Sequence, residues 1–225
     1  DQPVSQTIMI TYRKQDGWTD PRSIMEEIGS GGDCYPTCLS FDGKELFLVK
    51  KNYEESDIYV SYRKGEKWTR MTKLNDNINT DYFEKHAFIT NNGKSLYFTS
   101  YRPGGQGAMD IWVSETTTQG DWGPAKNLGP KINSHYNEET PFLTENSQKL
   151  YFSSQGHATM GGYDIFVSDI TPSQELGPGG VLSGKDSGEA ASDRWSFPQN
   201  AGYPISTADD DLFYVPRRNG QRGYY

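Results

Sequence analysis

Apolar and polar residues alternate in short bursts along this chain, and the bursts return in a fixed order. The fullest copy lies within Glu139 to Ser168. It reads Thr-Pro-Phe-Leu-Thr, a polar turn, Leu-Tyr-Phe-Ser-Ser, a Gly-rich loop, then Tyr-Asp-Ile-Phe-Val-Ser. Lys85 to Ser114 repeats the pattern, and Thr37 to Ser61 repeats it more loosely. Short apolar runs bounded by turn residues predict strands, so each copy predicts three strands in succession.

The copies share one register. Leu46, Leu96 and Leu150 open the second run, and Asp57-Ile58, Asp110-Ile111 and Asp164-Ile165 open the third. Trp18, Trp68, Trp122 and Trp195 follow, each trailed ten residues later by Ile28, Ile78, Ile132 or Ile205. From that Ile to the Leu slot is eighteen residues every time, with Gly223 in the fourth slot. A period of this length marks repeated supersecondary units.

Whole units end at Ile78, Ile132 and Ile205. The residues before Gly29 read as the last two strands of a unit, and Ser206 to Tyr225 as the first two, turning at Asn219-Gly220. The expected fold class is therefore all-β, a β-propeller of four-stranded blades forming a single domain over residues 1–225. It consists of three whole repeats plus one blade split between the termini and closed by their pairing, or it is a fragment of a larger propeller. The Trp122 to Trp195 interval is 73 residues where its predecessor is 54, and the excess falls in a Gly/Ser-rich insertion loop, 171–194.

Composition narrows the function. Aromatics at 13%, with 24 Gly and 12 Pro, suit short strands and tight turns. A net charge of -8, with no basic stripe, argues against nucleic acid. No run approaches the roughly 18 apolar residues of a membrane span. Cys34 and Cys38, if extended, lie about 13 Å apart, too far for a disulfide unless a turn intervenes; their redox state stays open. No Gly-x-Ser-x-Gly elbow occurs.

Alternating strands bring the loops Tyr101 to Met109 and Gln155 to Tyr163 to the same face as the corners Asn79 to Lys85 and Asn133 to Glu139. This face carries Tyr82, Glu84, His86, Arg102, Met109, Tyr136, Glu138, His157 and Met160. The mixture of aromatic, Arg and Met side chains is one that partner surfaces favour, and these residues form the expected binding surface.

Six residues past each Ile stand Cys34, Glu84, Glu138 and Asp211. Three acids in four slots read either as carboxylates ringing a channel or as acids bonding the backbone of a corner; recurrence favours the corner. No cofactor is expected, save a candidate Ca2+ site at Asp209, Asp210 and Asp211. The repeated Asp57, Asp110 and Asp164 read as strand-entry acids, and the four Trp as wedges between blades.

The phrases Ser-Phe-Asp-Gly-Lys (40–44), Leu-Tyr-Phe-Thr-Ser-Tyr-Arg-Pro-Gly-Gly (96–105) and Gly-Gly-Tyr-Asp-Ile-Phe-Val-Ser (161–168) resemble the PD40, or WD40-like, repeat related to the TolB propeller. They look like the version found in Bacteroidetes OmpA-family cell-envelope proteins, components of the type IX secretion system among them. The resemblance implies a non-catalytic scaffold in the periplasm, associated with the outer membrane. Its expected partners are envelope or secretion-system proteins. Two other functions remain: a glycan-binding or glycoside-cleaving propeller using channel carboxylates such as Glu84 and Glu138, and TolB-like binding of a peptidoglycan-associated lipoprotein.

Overall fold

The structure, a computed structural model, describes residues 6–51, 55–170, 194–217 and 222–224. Except for Arg194, the insertion 171–194 lies outside the described residues.

Near the N-terminus β1 (Met9–Ile10) pairs with β4 (Arg22–Ser23), and β2 (Arg13–Lys14) with β3 (Gly17–Trp18), ahead of a single helical turn, α1 (Met25–Ile28). In the first whole blade β5 (Cys34–Leu39), β6 (Glu45–Lys51) and β7 (Ser56–Lys64) run antiparallel, and both β8 (Lys67–Trp68) and β9 (Thr72–Lys73) pair with β7. The second blade orders β10 (Glu84–Ile89), β11 (Ser95–Ser100), β12 (Asp110–Glu115) and β13 (Lys126–Asn127). The third orders β14 (Glu138–Leu143), β15 (Lys149–Ser154), β16 (Asp164–Asp169) and β17 (Gln199–Asn200). A hairpin of β18 (Val215–Arg217) and β19 (Arg222–Tyr224) follows.

No blade buries its faces alone. Phe47, Val49 and Ile58 of the first blade pack with Ile89, Leu96 and Phe98 of the second. Ile111 and Tyr97 of the second pack with Leu150, Phe152 and Phe166 of the third. Middle strands are covered on both sides, which is why Leu96-Tyr97-Phe98 is a continuous apolar run, all buried. Each such side chain contributes roughly 1.5–3 kcal/mol on burial. The innermost strands β5, β10, β14 and β18 all line one axial cavity. This radial arrangement is a β-propeller.

Among the described residues the two terminal pieces do not pair with each other, contrary to the expected closure: β1–β4 and β18–β19 remain separate two-stranded sheets. A Cβ at Gly223 would lie 2.3 Å from the Tyr214 ring, so tyrosine fills the space a leucine would take. The wedge role likewise holds for Trp68 and Trp195, which are buried, but not for Trp18, which is 66% exposed. Trp68 packs with Ile28 and Trp195 with Ile132, each from the preceding unit.

The corners that lead into the innermost strands repeat at atomic detail. Two residues after each trailing Ile stands a hydroxyl, and it meets the residue at the sixth position. The Glu138 carboxylate accepts from the Ser134 N–H at 2.7 Å and its hydroxyl at 2.6 Å. Glu84 accepts likewise from Thr80, Asp211 accepts from the Thr207 N–H, and the Cys34 thiol donates to Ser30 at 3.0 Å. One residue after the Ile, Asn79, Asn133 and Ser206 clamp the backbone N–H and C=O of Ile58, Ile111 and Ile165 in the blade before. Both cysteines are free thiols.

Candidate functional site

The Gly-rich loops interlock with the next blade's corner. Ala108 N–H donates to the Tyr136 carbonyl at 3.1 Å, and Met109 N–H to Asn137 Oδ1 at 3.0 Å. One blade on, Tyr163 N–H donates to Asp210 Oδ1 at 2.9 Å and Asp211 N–H to the Tyr163 carbonyl at 2.7 Å. Glycine is needed because backbone meets backbone here. A Cβ on Gly107 would lie 2.4 Å from the Ser134 carbonyl oxygen and 2.8 Å from His135 Cα. Gly107→Ala is therefore expected to cost about 1–3 kcal/mol in a denaturant melt, whereas Gly43→Ala, with no atom within 4 Å, strains only its left-handed backbone.

The expected surface separates into exposed and buried residues. Tyr82, Tyr136 and Met160 are exposed, Tyr136 by 61%, joined by Phe83 and Tyr101. The other residues turn inward. Glu84, Glu138 and Met109 are buried, because the first two close their corners and the third begins the strand entry. The Arg102 guanidinium lies across Phe98 and Trp112, donates to the Asn77 and Ile78 carbonyls and the Ser100 hydroxyl, and faces Glu84 at 3.3 Å. His157 Nε2 meets the Ile132 carbonyl at 2.9 Å, its ring against Phe152 and Phe166. Arg102 and His157 thus tie their own blade to the corner before it.

The acids have similar structural work. Burial pushes the Glu138 and Asp110 carboxyls above their ordinary range, with hydrogen bonds opposing. Asp110 and Asp164 accept from the side chains of Asn127 and Asn200, and Asp57 pairs with Lys73 at 2.8 Å. The Ca2+ reading at Asp209 to Asp211 is not supported. Asp210 and Asp211 accept from backbone N–H groups, and among the described residues no group of three or more His, Cys, Asp or Glu is gathered for a metal ion.

A second constellation sits at the axis and was hidden from sequence reasoning. His86, Thr140 and Phe213 occupy one repeat slot, eight residues past Ile78, Ile132 and Ile205, and all three are left-handed, with φ of 49°, 52° and 63°. Such backbone is uncommon outside glycine. In β10 and β14 it coincides with a break in register, between Lys85 and Phe88 and between Glu139 and Phe142. The bulges re-aim side chains. His86 Nε2 faces Glu139 Oε2 at 3.1 Å across the blade boundary, and Lys85 Nζ lies 3.9 Å from the other carboxylate oxygen. Burial, reinforced by Lys85 and Lys51, pushes the His86 imidazole down to about 3, so it is neutral at pH 7. Burial, with Glu139 near, raises the Tyr35 phenol to about 12 and lifts that of Tyr163 further. Glu139, Tyr35 and Tyr163 had no repeat signal to mark them.

No protein-family model and no curated protein sequence matches the chain. Among solved structures, α-L-arabinofuranosidase from Lactobacillus brevis superposes with a TM-score of 0.52 at 14% identity, over 90% of this chain and 69% of that one. TolB from Acinetobacter baumannii gives 0.48 at 17%, over 72% and 38%. Xylan β-1,4-xylosidase from Bacillus halodurans gives 0.45 at 16%, over 97% and 48%. The likeness to the arabinofuranosidase shows a common fold. The chain spans less than half the length of the TolB structures it matches.

Proposed function

We propose that this propeller is a non-catalytic interaction module whose loop face docks a protein partner in a bacterial cell-envelope assembly. The observation that carries this reading is the group of exposed Tyr82, Phe83, Tyr101, Tyr136 and Met160, mounted on corners and loops that the interlocking hydrogen bonds hold in place. Aromatic and Met side chains on a preorganised surface are the usual anchors of protein interfaces. The resemblance of the repeat phrases to Bacteroidetes envelope propellers supports a periplasmic, outer-membrane-associated partner, a secretion-system component or a peptidoglycan-associated lipoprotein. Glu84 and Glu138, the acids a glycoside-cleaving role would use, are held in their corners by hydrogen bonds, which favours the docking reading.

Crosslinking capture from native envelopes tests the proposal. The double variant Tyr82→Ser, Tyr136→Ser should melt within a few degrees of the unmodified protein and retain partner at least tenfold less well. Equal retention by both would remove the loop face from consideration.

A further inference from the structure

The axis of the ring holds two chambers lined by all four innermost strands. The wider, about 360 Å³, has Phe41, Phe88 and Phe142 among its walls, with Glu145 and Arg217. The narrower, about 100 Å³, is lined by His86, Thr140 and Phe213 among others, and shares Thr37, Phe88, Phe142 and Val215 with the first. Phe88 and Phe142 lie 4.6 Å apart between centroids, with Phe41 edge-on to Phe88 at 6.4 Å. Leu39, Thr144 and Arg217 come from the far ends of their strands, so the wider chamber opens away from the loop face.

One buried polar atom of the narrower chamber has no partner among the described residues. The His86 side chain is nine-tenths buried with its Nε2 3.1 Å from Glu139 Oε2, while its Nδ1 has no hydrogen-bond partner among the described residues. The three threonines of the walls are hydrogen-bonded: Thr140 bonds Ser153 at 2.7 Å, Thr144 donates to Asn146 at 2.7 Å, and Thr37 to the Phe47 carbonyl at 3.4 Å. A buried acceptor left without a donor is costly, and this one is held there by a backbone conformation that is itself unfavourable.

We infer that the axial channel is a binding site for a small aromatic alcohol, its ring packed against Phe88 and Phe142 and its hydroxyl donating to His86 Nδ1. The wider chamber has the size of a small-ligand pocket, and its aromatic walls suit a flat ring. An ammonium head would face Lys85 and Lys51, the cations beside His86, as well as Glu139. The site is independent of the loop-face reading and stands or falls separately.

The test is an NMR titration of the full chain with 4-methylphenol and with 4-fluorotoluene, which has the same shape but no donor. The phenol is expected to bind saturably and about tenfold more tightly, the value of one net hydrogen bond. His86→Leu should abolish that preference, and His86→Asn, which tolerates left-handed backbone and keeps an acceptor, should retain part of it. If His86→Leu does not fold, the nitrogen shift of His86 Nδ1 in the unmodified protein reads the bond directly and should move on phenol binding alone. Capped Gly-Tyr-Gly binding as well as the free phenol would identify the source of the ring as a tyrosine side chain; binding by the free phenol alone would identify a small molecule. No saturable binding, equal affinity for the two probes, or an unmoved Nδ1 resonance would overturn the inference.

Discussion

Arg102→Ala is expected to destabilise the fold by about 3–5 kcal/mol, the usual result of removing one member of a buried ion pair. For a chain of this size that is a fall in melting temperature of roughly 6–20 °C. Three effects act together. Glu84, which is fully buried, loses its only nearby cation among the described ion pairs. The Asn77 and Ile78 carbonyls lose their guanidinium donors. The faces of Phe98 and Trp112 lose a cation stacked at 5.0 and 5.3 Å. Arg102→Lys keeps the charge but not the planar fork, and should fall between the two. A thermal melt of the alanine variant within 2 °C of the unmodified protein would show that the guanidinium does not hold the blade junction. A substitution at Arg102 is thus a test of folding, and the partner face is better probed at Tyr82 and Tyr136.

Asn133→Ala is expected to cost about 2–4 kcal/mol. The side chain is buried and accepts from the Ile111 N–H at 2.8 Å while donating to the Ile111 carbonyl and to Asn127 Oδ1, both at 3.0 Å. Its removal leaves the buried Ile111 N–H unpaired, worth roughly 1–3 kcal/mol, and takes one of two donors from the Ile111 carbonyl, which keeps the Leu128 N–H. Asn133→Asp separates the contributions: it keeps the acceptor for Ile111 N–H, loses both donors and places a charge in the interior. It should be at least as damaging as alanine at pH 7 and recover as the pH falls towards the carboxyl's ordinary range, where the buried group is protonated. Guanidinium unfolding at two pH values measures this, and no difference between them would mean the amide donors do not matter. The same reasoning applies to Asn79, whose three bonds to Ile58 and Leu74 copy the arrangement one blade earlier.

Much of the corner was visible in the chain before any coordinates. The recurrence of Glu84, Glu138 and Asp211 six residues after an Ile pointed to a structural acid, and in the structure each closes its corner. The hydroxyls Ser30, Thr80, Ser134 and Thr207, all two residues after that Ile, carried the matching signal and could have been found with the same register. Arg102, Met109 and His157 were placed on the wrong side of the surface. Their loops are exposed as segments, but a long side chain on a loop can reach back into the core, and composition does not distinguish the two directions. Glu139 was out of reach for a different reason: it pairs with His86 of the preceding blade, 53 positions earlier, and neither residue occupies a slot with a repeated chemistry.

By itself the sequence determined the unit. The spacing of Leu, Asp-Ile, Trp and Ile sets which residues pair within a blade and which apolar faces must be buried between blades, because strand periodicity and hydrophobic burial are local rules applied copy after copy. Only the tertiary structure decided what happens at the axis. There the left-handed residues His86, Thr140 and Phe213 interrupt the two-residue alternation of the innermost strands. A bulge exchanges inward for outward, so the side chains that meet in the channel are those the regular pattern would have sent elsewhere.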